Sequence, residues 1–136
     1  MKRFLSTSYS ENSFNLTALL LRLTFGLLIC IVHGLPKLTH FSSQSAIFFD
    51  PMHIGRKASL MLVIFAEVFC GLLLTLGLFT RLAALVLVIS MGVAAFIVHK
   101  GQPINVVEPA LLYLGAFISI LFVGPGRISV DAMMGK

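Results

Sequence analysis

Apolar positions gather into four long runs, roughly 16 to 36, 58 to 79, 82 to 98 and 109 to 124, separated by shorter polar or mixed stretches. Each run has about twenty residues or slightly fewer, the length that carries a helix across a bilayer. The pattern predicts an all-α polytopic membrane protein, an antiparallel bundle of four transmembrane helices forming one domain over 16–136, with a polar segment over 1–15. Asn15 or Thr17 caps the first helix, Gly34 and Pro36 end it, and Pro109 stands at the first position of the fourth. Thr80-Arg81 leaves room only for a tight hairpin, so the second and third spans are neighbours. The linker 39–57 mixes Ser42, Ser43, Gln44 and Ser45 with Phe41, Ile47, Phe48, Phe49, Met52 and Ile54, which reads as a segment lying in the interface, and Asp50-Pro51 starts a turn within it.

Composition agrees: 58% of the 136 residues are hydrophobic and 11% charged, which leaves little chain for a soluble domain. The first run is not a cleaved leader, because it starts late, carries Arg22 and ends in HGLPKL without a small-x-small site. A net charge of +5 does not imply nucleic acid, since the ten Lys and Arg sit singly or in pairs at the ends of apolar runs, as interfacial anchors do. Lys2, Arg3, Arg81, Arg127 and Lys136 against Lys37, Arg56, Lys57 and Lys100 place both termini on the cytoplasmic side. Cys30 and Cys70 differ by about 8 Å in depth and should not form a disulfide. No metal-binding spacing is present.

Ionisable residues inside the spans are the informative departures. A lone charge in hydrocarbon costs a few kcal/mol, so each should face other helices or a wet cavity. At 100° per residue Arg22, Gly26, Ile29 and His33 share a stripe; Glu67 and Gly71 repeat the spacing; Val88, Gly92, Ala95 and His99 align, as do Glu108, Leu112, Gly115 and Ser119. Small residues let helices approach closely in lipid, so these four stripes are expected to face the interior. Glu67 falls about 14 Å from the linker surface and Arg22 about 9 Å from the opposite one, a depth gap near 7 Å, which makes them the expected buried structural pair. His33, Lys37, Glu67, His99 and Glu108 cluster towards the linker side and form the candidate ligand-binding set. Glu108, at the start of the fourth helix, is the expected partner of His99.

HGLPKL, DPMHIG, AEVFCGLLLTLGLFTRLAAL, MGVAAFIVH, EPALLYLGAF and GPGRISVD, in this order from about Leu20 to Asp131, resemble the DoxX family of small four-helix membrane proteins. The positions that match are His33, Gly34, Lys37, Glu67, Gly71, Gly77, Arg81, His99, Glu108, Gly124, Gly126 and Asp131. The resemblance implies a bacterial-type inner-membrane protein, in a family named for a subunit associated with a terminal quinol oxidase and linked to thiosulfate:quinone oxidoreductase chemistry; other members are described as partners of redox-defence proteins. It assigns catalysis to no residue.

Two classes of function follow. One is a subunit or partner of a membrane redox system, binding a quinone-like molecule with the ring and tail in an apolar slot and the carbonyl oxygens on hydrogen-bond donors. The other is non-enzymatic, a small-molecule or lipid carrier or an assembly partner, and a transport role predicts a homo-oligomer. Haem held by His33 and His99 is disfavoured, because the neighbouring residues are not arranged to clear a cavity for a macrocycle. An enzyme acting on its own is also disfavoured, for want of a nucleotide loop, a nucleophile elbow or an HExxH.

Overall fold

The computed structural model describes residues 5–136; Lys2 and Arg3 lie outside the described residues. Four long helices, α1 (Glu11–Thr39), α3 (Arg56–Leu76), α4 (Thr80–Val98) and α5 (Ile104–Val123), are long and apolar enough to cross a membrane. Two short helices complete the chain, α2 (Phe41–Ile47) in the linker and α6 (Val130–Met133) after the last span. No strand occurs among the described residues. Successive spans run antiparallel, so one end of the bundle carries the linker and the other both termini.

Helix boundaries differ from expectation in three places. The first helix begins at Glu11, where the Ser10 hydroxyl accepts from the Ser13 N–H, so residues 11–15 belong to it and neither Asn15 nor Thr17 is its cap. It also continues through Gly34 and Pro36 to Thr39. Its backbone widens to a π turn over Ile29–Gly34, with the Leu35 N–H bonding to the Cys30 carbonyl, and this loosened turn accommodates a proline that a regular helix would resist. The fourth helix starts at Ile104, behind Pro103, which places Pro109 inside it.

The core lies towards the terminus end, where Leu74, Ala83, Ala84, Leu87, Phe117 and Ile120 are buried together. Glycines hold α1 against α3: a Cβ on Gly26 would stand 3.0 Å from the Gly71 carbonyl, and one on Gly34 3.1 Å from the Val68 nitrogen. The expected interior stripe holds there and fails in α5, whose Glu108, Leu112, Gly115 and Ser119 all point outward. Ala110, Ala116, Phe117 and Ile120 make the buried face instead. Nothing lies within 4 Å of a Cβ placed on Gly92 or Gly115, so neither glycine marks a close helix contact.

Below the core the chain after α5 folds back across the terminus end. The Asp131 carboxylate accepts from the N–H groups of Phe79 and Thr80 and from the Thr80 hydroxyl, each at 2.8 Å, and so caps α4. Gly77 (φ +73°) and Phe79 (φ +48°) make the left-handed turn that presents those groups. The Asn15 side chain accepts from the Arg127 N–H at 2.8 Å, and Arg127 pairs with Glu11 at 2.9 Å. Burial pushes the Asp131 carboxyl up, but the bonds from Thr80 and Phe79 outweigh it and hold its pKa below the ordinary value.

Candidate functional site

Towards the linker end the four spans enclose a cavity of about 610 Å³, within the range of small-molecule sites. His33 and Lys37 reach it from α1, Glu67 from α3, and His99 from the end of α4. Residues 48–52 of the linker cover it, with Phe48, Phe49, Pro51 and Met52 in its wall. That cover is tied down by Asp50, which accepts from the N–H groups of Ile54 and Gly55 and from the Ser59 hydroxyl on α3. The Ser59 bond is the main cause that holds the Asp50 carboxyl below its ordinary pKa.

The expected ion pair does not form. Glu67 is bound instead by Lys37, Nζ to Oε2 at 2.6 Å, and Lys37 also donates to the His33 carbonyl at 3.2 Å. Arg22 turns away to the terminus end, where its guanidinium donates to the backbone carbonyls of Ile128 and Thr75, while its Nε is left unpartnered. The direction of the Cα–Cβ bond explains both. Side chains lean towards the N-terminus of their own helix, so Arg22 leans towards the terminus end and Glu67, on an antiparallel helix, towards the linker end. They diverge, whereas Lys37 leans down onto Glu67. The continuation of α1 past Pro36 sets Lys37 in place.

Of the five residues expected at the ligand site, His33, Lys37, Glu67 and His99 are brought to one cavity and Glu108 is not. Glu108 sits one turn inside α5 on its exposed face, and no ion pair joins it to His99. Tyr113 takes the place on α5. Its ring meets His33 edge-on at 5.3 Å between centroids and stacks on Phe117 at 5.8 Å. The sequence did hold a signal for it, since Tyr113 falls between Ala110 and Phe117 at helical spacing and is one of only two tyrosines in the chain.

Chemically, the cavity is a mostly apolar chamber with several polar side chains in its wall. Lys37 and Glu67 neutralise each other. Neither the His33 ring nor the Tyr113 hydroxyl has a hydrogen-bond partner among the described residues, and the buried His99 Nδ1 is likewise unpartnered. These uncommitted hydrogen-bonding groups, with the Ser90 hydroxyl of α4, thus stand in a wall made mostly of apolar side chains. Among the described residues no group of three or more His, Cys, Asp and Glu converges as metal ligands would, and Cys30 and Cys70 are both buried free thiols. Two of the π turns carry His33 and Glu67, and the third, Ala94–Val98, ends beside His99, so these three residues ride on or next to a widened turn.

The DoxX family profile matches residues 17–100, which is most of the chain and takes in α1 from Thr17, the linker, α3 and α4. An uncharacterized protein of Haemophilus influenzae is 36% identical over 112 residues, covering 74% of this chain and 78% of that protein. No solved structure matches. With four apolar spans, three of them within the matched residues, this chain is a membrane protein belonging to the DoxX family.

Proposed function

We propose that this protein binds a small amphipathic, quinone-like molecule in the linker-end cavity and serves as a subunit or partner of a redox system in a bacterial inner membrane, with its termini in the cytoplasm. The observation that carries the reading is the presence of His33, Tyr113 and His99, none with a hydrogen-bond partner among the described residues, in the wall of a mostly apolar chamber of about 610 Å³, with His33 and Tyr113 in contact. A quinone needs an apolar slot for its ring and donors at its carbonyl oxygens. When it is reduced it also takes up protons, which histidines near a surface can relay.

Extraction of the protein purified in mild detergent, followed by binding of a labelled benzoquinone, tests this. Quinone should co-purify, and His99→Ala or Tyr113→Phe should weaken binding about five- to tenfold, the loss of one hydrogen bond each. Glu108→Gln should change nothing. Co-purification of a different lipid, with no quinone bound, would replace the redox reading by that of a lipid carrier.

A further inference from the structure

The polar groups of the cavity run from His99 at the linker end to Tyr113, about 14 Å along α5, and its rim reaches the same depth. Leu62 and Phe65 on α3 and Ile89 on α4 line the cavity while remaining 49%, 49% and 60% exposed. A residue that is both cavity wall and outer surface marks the edge of an opening. Leu62 lies about 9 Å along α3 from its linker end, and Phe65 and Ile89 each about 14 Å along α3 and α4 from the same end. In a hydrocarbon core about 30 Å thick, that depth is surrounded by lipid chains, not water. Packing shows why the opening exists. The Phe65–Cys70 turn of α3 rests on α4, whereas the Arg56–Ile64 stretch packs chiefly on α2 and on the last turn of α1, so α3 and α4 part towards the linker end.

We infer that the cavity loads sideways from the bilayer through the cleft between α3 and α4, and that its occupant is a neutral hydrogen-bonding headgroup with a single apolar chain. The head sits at His33, Tyr113 and His99. The chain lies between Leu62 and Ile89 and continues into the membrane. Neutrality follows from the 2.6 Å Lys37–Glu67 pair, whose cancelling charges leave none to hold an anion. Phe49 and Met52 of the linker are likewise both wall and exposed surface, so the chamber also opens beside the linker, and the cleft between α3 and α4 is the opening that stands at the depth of the lipid chains. This inference rests on the proposed binding reading for the head and adds the route and the chain.

The test uses the protein in liposomes, with a benzoquinone carrying a decyl chain, the same ring without the chain, and decanoate. The wild type should bind the chain-bearing quinone at least tenfold more tightly than the bare ring, with decanoate failing to compete. Ile89→Trp, which narrows the cleft, should remove that advantage without changing affinity for the bare ring. Leu112→Trp, on an exposed face away from the cavity, should leave both affinities unchanged. Should Ile89→Trp fold poorly, Leu62→Ala, which widens the cleft, should leave ring binding intact and weaken the chain's contribution about threefold. An equal affinity for the two quinones, a chain advantage that survives these substitutions, or competition by decanoate overturns the lateral route or the neutral head while leaving the ring site standing. No binding of either quinone by the wild type overturns the proposed function itself.

Discussion

Arg22 and Glu67 are both buried within the spans, and the lean of each side chain selects its partner. Removing one member of a buried ion pair strands the other, so Glu67→Gln or Lys37→Met alone should lower stability in detergent by about 3 kcal/mol, and the double variant should recover part of the loss. Arg22→Gln and Glu67→Gln should combine additively, because they share no contact. Thermal melting of the single and double variants checks both cycles. Sequence supplied the depths of these charges but not their pairing. Depth alone pairs Arg22 with Glu67; adding the N-terminal lean of helical side chains would have sent them apart and brought Lys37 to Glu67.

Elements meet in two ways, and glycine serves only one of them. At the α1–α3 contact Gly26→Ala and Gly34→Ala must push backbone from backbone, for a cost of about 1–3 kcal/mol, whereas Gly92→Ala and Gly115→Ala should be neutral or slightly stabilising. Melting temperatures of the four variants separate the cases. The interior face of α5 was illegible from its glycine because alanines and Phe117 do that work there, and the three π turns left no mark in a stripe drawn at 100° per residue. The cap on α4 gives a pH test. Asp131 is held below its ordinary pKa, so its contribution is present above the unfolded value, near 4, and is lost as pH falls through the lower folded value. Asp131→Ala should cost about 2–3 kcal/mol at neutral pH, and the melting difference between wild type and this variant should shrink below about pH 4.

At the scale of the molecule, the four spans, their order and the position of the linker were all readable from hydrophobic runs, because the bilayer demands helices of about that length. The cavity was not, since it depends on how far α3 and α4 part and on which linker residues fold over the gap. The proposed orientation is tested by single cysteines at Ser43 and Gly135 in a variant lacking Cys30 and Cys70; an impermeant thiol reagent applied from outside should label the first and not the second. The fold of residues 124–133 bears on how such a protein is made. Ile128 and Asp131 leave the ribosome after all four spans, so until then the α4 N-terminus has no carboxylate and Arg22 no Ile128 carbonyl to hold it. The hairpin of α3 and α4 must therefore enter the membrane with its turn uncapped, and reporters fused upstream of Ser129 would map an intermediate of insertion in place of the finished protein.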